Sequence, residues 1–578
     1  MAYFYMHMNT NFSMDEVKVL GSKSIAVESK ESIINLVLDT LAIEKQLLIF
    51  NNSKNSSEAT AEKIAMAVKK KKIVSHQKEL SQLSEQILKV MQSPTKQCRR
   101  LAKCVEQGIA FHHSGLVSKQ RYLIEENFKK GIIKVISSTP TLAAGLNLPA
   151  YKVIIKDYKR YSSRGFNDIP VLEFMQMAGR AGRPGHEDIG HSVVHIKDDN
   201  ELERVIKKYI HGKPEEIYSK LAVEPTLKMY VLSLVSMDII NTEDEIKEFF
   251  KNTLYGEQYH DLDGLYYNIF KVLKILKEYQ FVREDDNYYV ATTLGKKVSE
   301  LYLNPDTAHL FLSHFDIFVK TLGSKYVSRQ HVFNLIQLFS TTMEMKPLFR
   351  MGKKEEEHYM QLADDVQEEL FVEYDPFEQD LQDFMNGLKT AEIMQDWIEE
   401  APEEYISEKY SITPGELHFK KEVIDWLLYC LEEFSQLRKQ FYLKNYFNKL
   451  RQRFKSGIKD DVLVLISLKG VGRVRARKLK KAGFGTLSDL RSATFEQLSR
   501  VIGDALTISI KKELHGDTYE QDFSHELKRV EKFSRSSKPK EIRVREVTEV
   551  EVDELVEETQ NFEKEKEEAK QKGLLQYF

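Results

Sequence analysis

The chain has 578 residues, of which 42% are hydrophobic and 30% charged, and a formal net charge of −3 at neutral pH. At this length about four domains are expected, each able to bury its own core, and no apolar run approaches the roughly 20 residues needed to cross a bilayer, which excludes a membrane span and a membrane partner. The three cysteines, Cys98, Cys104 and Cys430, have no paired metal spacing and cannot form a disulfide framework, so they read as packing or surface thiols.

The stretch Met1-Ala-Tyr-Phe-Tyr-Met-His-Met8 carries neither a basic leader nor a cleavage signal, which reads as an intracellular protein. Residues 1–200 alternate helical patterns with short β-branched runs at 47–50, 132–136, 152–155 and 192–196. Strands spaced by helices predict a parallel sheet covered on both faces, with ligands at the carboxyl ends of its strands. Lys69–Lys72 ends an amphipathic helix, where cations favour the negative dipole end. His112 and His113 adjoin an apolar segment and have neither a cysteine partner nor a second histidine one turn away, so no metal site is expected. After the run ending at Ile136 come the hydroxyls of Ser138, Thr139 and Thr141 and the flexible Gly145; a turn held by Ser and Thr side chains would account for the hydroxyls alone.

The segment 156–170 mixes Tyr158, Tyr161 and Phe166 with Lys159, Arg160 and Arg164 around a Ser-Ser-Arg-Gly turn. Such a hairpin suits stacking on a terminal base pair while gripping phosphate, or is an ordinary exposed β-hairpin. Gln176-Met-Ala-Gly-Arg-Ala-Gly-Arg-Pro-Gly185 sets Arg180 and Arg183 three residues apart among Gly179 and Gly182. Two planar forks of donors beside closely approachable backbone suit a polyphosphate, where an arginine finger is worth roughly 10³ to 10⁵ in turnover.

Residues 201–300 read as helices followed by a β pair around Asp285-Asp-Asn287, the order of a winged helix. Residues 301–432 are helical and acidic, mostly solvated faces, the Lys353-Lys-Glu-Glu-Glu357 run among them. Within them a turn at 412–415 opens a helix with His418, Lys421 and Asp425 near one stripe and Trp426 beside it, as a contact residue or as plain core. Residues 433–520 become basic, and 462–485 give an apolar helix, a Gly470-Val-Gly472 hairpin and a second helix bearing Arg473, Arg475 and Arg477, resembling a helix-hairpin-helix element. Lys469 to Arg491 hold eight basic residues and one acid, which predicts sequence-independent, salt-sensitive binding to phosphate backbone at a helix N-terminus. Residues 521–570 read as a disordered tail, in which 546–568 carry eleven acids against two lysines and leave the rest of the chain near +6. The last residues, 571–578, place Gln571, Leu574, Tyr577 and Phe578 as a sliding-clamp (PCNA) interacting peptide does.

Several of these segments resemble one family in its own order. Gln176, Gly179, Arg180, Gly182 and Arg183 match the sixth motif of superfamily-two helicases, 138–150 looks like the fifth, and Ala110-Phe-His-His-Ser-Gly-Leu116 is similar to the segment between motifs four and five in the Ski-like branch. Gly472-Arg-Val-Arg-Ala-Arg477 narrows the match to the archaeal HelQ-type DNA helicases. The resemblance implies an α/β RecA-like domain (1–200), a bracing winged helix (201–300), a helical ratchet bundle (301–432) and a helix-hairpin-helix domain (433–520). It implies an ATP-dependent 3′-to-5′ helicase on forked or branched DNA in replication-coupled repair, in the cytoplasm of an archaeon and associated with its nucleoid. Arg180, Arg183 and Gln176 would be catalytic, and Gly179, Gly182, Thr139, Thr141 and Gly145 would line the ATP cleft. DNA would touch His112 and His113, the strand-separating hairpin with Arg160, Tyr161 and Arg164, and the ratchet helix with Trp426. Phe419 stands where the family's arginine is expected, so a stack replaces that contact or Lys420 or Lys421 takes its role.

Neither the phosphate loop nor the acidic box of a first RecA-like half occurs in these residues. ATP and Mg²⁺ would then be held mainly by that half, supplied as a separate polypeptide or a longer chain, and this chain alone should not hydrolyse ATP. Two other readings stay open: a clamp-tethered, non-enzymatic DNA-binding adaptor derived from a helicase, and a Ski-like RNA helicase.

Overall fold

The computed structural model describes residues 3–8, 25–91, 93–143, 148–162, 165–182, 190–196, 198–259, 262–322, 329–372, 374 and 380–515. Its strands are β1 (Tyr3–Met8), β2 (Leu47–Phe50), β3 (Ile109–His112), β4 (Val135–Ser138), β5 (Lys152–Ile155), β6 (Lys159–Ser162), β7 (Gly165–Asp168), β8 (Gly190–His195), β9 (Val282–Asp285) and β10 (Tyr288–Ala291). Six of them form one sheet in the order β1-β8-β5-β2-β4-β3. Five are parallel, and β1 closes the edge antiparallel to β8. Every position of β2, β3, β4 and β5 is buried, which is why these strands read as continuous apolar runs rather than alternating ones.

The run expected at 132–136 is a strand only from Val135. The amides of Ile132 and Ile133 bond the Asn127 carbonyl and so belong to the turn that ends helix Ser118–Lys129. Strands β1 and β3 were not anticipated. Helix Lys54–Lys71 carries Lys69, Lys70 and Lys71 in its last turn and stops at Lys72 in the left-handed region (φ 55°), the cationic helix end expected.

The hairpin lies between the segments 138–150 and 176–185, β6 pairing antiparallel with β7 from Lys159↔Asp168 to Ser162↔Gly165. A second hairpin follows helix Asp263–Glu278, and its turn residues Asp286 (φ 48°) and Asn287 (φ 70°) have the paired left-handed backbone of a tight hairpin turn. Beyond it the chain is helical. Thr413 caps helix Pro414–Leu437 through a reciprocal bond with Glu416, with Pro414 at the first position, and Leu417, Lys420, Ile424, Leu427 and Leu431 form its buried stripe. Helix Phe441–Ser456 packs back along it, and Gly457 (φ +63°) ends that helix under Trp397, whose ring a Cβ would meet at 2.5 Å.

A second compact unit begins at Val464. Residues 433–463 therefore cluster with the first unit, whereas the sequence had placed a boundary at 432. The second unit holds helices Arg473–Lys481, Leu487–Ser492, Phe495–Ile502 and Asp504–His515, and the apolar segment before its hairpin is a 3-10 helix over Asp460–Ser467 rather than an α-helix. The protein is thus mostly helical, with a five-stranded parallel arrangement and a helix-hairpin-helix region. Among the described residues no helix is long and apolar enough to cross a membrane.

Candidate nucleotide and nucleic-acid sites

Helix Val171–Ala178 follows the hairpin directly and delivers Gly179 and Arg180 at its end. Glu215 caps its start, accepting from the amides of Val171 (2.6 Å) and Leu172 (3.0 Å), and these bonds hold its carboxyl below the usual range. Arg180 donates from Nε to the Ala143 carbonyl at 3.1 Å and reaches the same oxygen with a terminal nitrogen. Its own carbonyl accepts from Ala150 (2.9 Å), and Gly182 donates back to Ala150 (2.8 Å). The segments 138–150 and 176–185 are thereby joined. Gly182 has φ +97°, and a Cβ on Gly190 would lie 2.2 Å from the Gly182 nitrogen, so this crossing needs glycine. Gly179 has ordinary helical backbone. Gln176 is exposed, and the hydroxyls of Thr139 and Thr141 share a bond of 2.9 Å. Arg183 and Gly145 lie outside the described residues.

The sequence had not marked a polar cluster at the carboxyl ends of β2 and β5. There Lys156 Nζ donates to Asn51 Oδ1 (3.3 Å), Ser56 Oγ (3.1 Å) and Thr60 Oγ1 (2.9 Å). The only sequence signal was a lysine placed just after a buried strand.

His112 and His113, expected on a nucleic-acid track, are 4% and 0% exposed. His112 Nε2 meets Glu125 at 2.8 Å, and His113 Nε2 meets Glu58 at 3.1 Å. His113 Nδ1 accepts from the Gly115 amide at 3.1 Å, and its ring stacks on Phe111. Burial pulls the His112 imidazole below its ordinary value despite the carboxylate beside it. These rings face inward: they shape the loop that follows β3 and present no edge to a strand.

Ion pairs hold the root of the β6–β7 hairpin. Asp168 accepts from Arg204 (2.7 Å) and Lys208 (3.5 Å), and Lys159 pairs with Glu201 (3.2 Å). Arg160, expected to grip phosphate, pairs with Glu173 on the motif-six helix at 2.8 Å while remaining half exposed. Tyr161 lies in β6, and of its side chain nothing is described; Arg164 lies outside the described residues.

On helix Pro414–Leu437 the two lysines considered for the strand contact diverge. Lys420 is 3% exposed, its ammonium donating to the Met345 carbonyl, and burial pushes its pKa down to about 8. It does not reach a strand in this conformation, because it lies in the stripe of Leu417, Ile424 and Leu427. Lys421 sits 4.0 Å over the Trp397 ring. Trp426 is half-buried, its indole N–H donating to the Leu301 carbonyl at 3.1 Å, whereas Phe419 two turns earlier is 48% exposed. His418, Phe419 and Glu422 line a cleft of about 420 Å³ whose other wall bears Lys54 and Arg121 of the α/β region. Two contacts close one end of it: Gly415 N–H to the Gly115 carbonyl (2.9 Å) and Lys54 to Glu416 (2.6 Å).

In the second unit Gly470 (φ +85°) turns the hairpin and Gly472 caps helix Arg473–Lys481. Arg475 bonds the Gly470 carbonyl at 2.7 Å, bracing the turn, and is exposed together with Lys478, Lys480 and Lys481. Arg473 and Arg477 are half-buried on the same helix. The clamp-like residues Gln571, Leu574, Tyr577 and Phe578 lie outside the described residues.

Four family models match the chain. They are a helicase conserved C-terminal domain (84–185), a helix-turn-helix domain (190–283), archaeal helicase domain 4 (333–457) and a SAM-like helix-hairpin-helix tandem (462–515). The ATP-dependent DNA helicase Hel308 of Methanocella arvoryzae is 36% identical over 496 residues, covering 84% of this chain and 65% of the relative. That of Pyrococcus horikoshii is 35% identical over 487 residues, covering 83% and 65%. Over most of its length the chain is similar to the Hel308 DNA helicases.

It spans about 65% of the length of these Hel308 relatives. The Arg180–Ala143 joint and the hairpin fall inside the segment matching the helicase C-terminal domain, and Lys420, Trp426 and the cleft-lining Phe419 fall inside domain 4. The helix-turn-helix match ends at Phe281-Val-Arg283, so it takes in helix Asp263–Glu278 and only the first residues of β9.

Proposed function

We propose that the chain supplies the second motor half and the DNA-handling domains of an ATP-dependent, 3′-to-5′ DNA helicase acting on forked or branched DNA in replication-coupled repair. The observation that carries this reading is the Arg180–Ala143 joint, inside a segment matching the helicase C-terminal domain and within a chain homologous to Hel308 over most of its length. An arginine fork has five N–H donors, so holding one carbonyl leaves donors for a phosphate. Arg180 and Arg183 would bind the γ-phosphate of ATP and offset charge building there, with Gln176 relaying occupancy to the strand. Mg²⁺ and most of the nucleotide would belong to a first RecA-like half in a separate or longer polypeptide. Thr139 and Thr141 would link the grip on the strand to closure of the ATP cleft, and Trp426 and Lys421 would hold the strand from the long helix. Arg473, Arg475 and Arg477 would grip duplex or exit-strand phosphates, and the last eight residues would bind a sliding clamp.

The test is reconstitution. Adding a first RecA-like half from a Hel308 relative should yield an ATPase stimulated by single-stranded DNA and abolished by Arg183→Ala. No recovery with a half that binds the chain would favour the non-enzymatic adaptor, and stronger stimulation by RNA than by matched DNA would favour a Ski-like RNA helicase.

A further inference from the structure

Beyond the cleft beside Phe419 lies a second, larger cavity of about 710 Å³, and the two share Pro347, Leu348, Phe349 and Glu416. They are two reaches of one groove, open to solvent along its course. The far reach is walled on one side by Pro347–Phe349 and on the other by Ser411 and Ile412, and its rim carries Arg350, Lys353 and Lys354. All three cations are exposed, and none makes an ion pair among the described residues.

Among the described residues, the two acids that line the far reach are committed elsewhere. Glu355 is held by Lys389 (2.7 Å) and by the Gly352 amide (2.6 Å). Glu416 is held by Lys54 and by the Thr413 cap. Glu356 and Glu357 open helix Glu356–Val366, where they complement its dipole, and do not line the groove. The far reach therefore carries three exposed cations outside any ion pair among the described residues, beside an apolar wall that is continuous with a cleft exposing an aromatic ring. A duplex hides its bases and has no use for an apolar wall. A single strand offers both its phosphates and the faces of its bases.

We propose that Arg350, Lys353 and Lys354 form a phosphate-binding extension of the strand path, taking the backbone of single-stranded DNA that has passed Phe419. This rests on the helicase reading above and adds to it a second grip on the strand, distinct from the long helix and from the basic hairpin. The grip is ionic and independent of base identity.

The experiment uses the full chain and labelled oligothymidylates of about 6 and 20 nucleotides, with affinity measured as a function of salt. The variant Arg350→Ala/Lys353→Ala/Lys354→Ala should lower the salt slope on the long strand by about 2, since each single-strand phosphate contact contributes about 0.7, and weaken binding about a hundredfold near 0.1 M salt. The short strand, accommodated without the far reach, should bind as in the unaltered chain. Lys69→Ala/Lys70→Ala/Lys72→Ala removes equal charge from an exposed helix end and should leave the slope unchanged. All six side chains are exposed, so the melting midpoints serve as the folding control. An unchanged slope in the groove variant, an equal loss in the helix-end variant, or an equal loss on both strand lengths overturns the proposal while leaving the helicase reading intact. Failure of the unaltered chain to bind either strand overturns that reading itself.

Discussion

The amide of Gly415 donates to the carbonyl oxygen of Gly115 at 2.9 Å, tying the first turn of the long helix to the loop after β3. A Cβ on Gly415 would lie 2.3 Å from the Ser114 carbonyl oxygen and 2.7 Å from the Gly115 carbonyl carbon, both backbone atoms that cannot swing away. Gly415→Ala should therefore part the two regions here and cost about 1–3 kcal/mol. Urea unfolding should show the lower midpoint, and hydrogen exchange should rise in 113–117. Wild-type exchange in that loop would refute the prediction.

Lys420 predicts an unusual alkaline response. Its ammonium is buried, with Lys346 adding repulsion, so its folded pKa of about 8 lies below the ordinary value near 10.4. Below pH 8 both states are protonated and the folded one bears the cost of the buried charge. Between pH 8 and 10.4 the folded state releases its proton first, so stability rises with pH. Lys420→Met removes this term, and its stability relative to wild type should fall by up to about 3 kcal/mol from pH 7 to pH 10.5. Denaturant titrations at the two pH values decide; a constant difference means that Lys420 is not held as described.

His112 acts at the acid side. Burial keeps its folded pKa below 6.5, so its contribution is complete above pH 6.5 and is lost as pH falls through the folded value. His112→Gln should flatten the stability profile below pH 6.5 relative to the native chain. The profile is read from unfolding midpoints between pH 5 and 8, and an identical slope in both proteins would count against a buried, neutral ring.

The chain has two tryptophans, which makes strand binding visible. Trp397 is 5% exposed, its N–H bonded to the Phe454 carbonyl at 2.7 Å, and should not respond to ligand. Trp426 is half-buried beside the strand path proposed above. Oligothymidylate should quench emission in Trp397→Phe to at least the same fraction as in wild type, and quenching should vanish in Trp426→Phe. Persistent quenching in the latter would assign Trp426 to packing alone.

Much of this architecture was readable from residue order. The β-branched runs found four of the five parallel strands but not β3, and the glycines with Asp286 and Asn287 found the turns, because these features are local. The failures concern partners distant in sequence. The glutamates that enclose His112 and His113 lie 13 and 55 residues away, so a buried pair of rings looked like an exposed one. Lys420 was misread because its charge outweighed its position, although Leu417, Ile424 and Leu427 at three, four and seven residues' distance mark the buried stripe. Phe419, an exposed ring of that helix, was noticed only for the arginine it displaces. The Lys156 cluster draws on three segments and has no signature in any one of them.

The hairpin root behaves as a clamped beam. Each arm is only four residues long, and Asp168, Lys159 and Arg160 fasten it on more than one side. Through Arg160 and Glu173 the hairpin base is tied to helix Val171–Ala178, and Arg180 just past that helix is tied to Ala143. The hairpin base and Arg180 are thus fastened to the same short helix. Salt that screens those ion pairs softens the beam as well as loosening phosphate contacts.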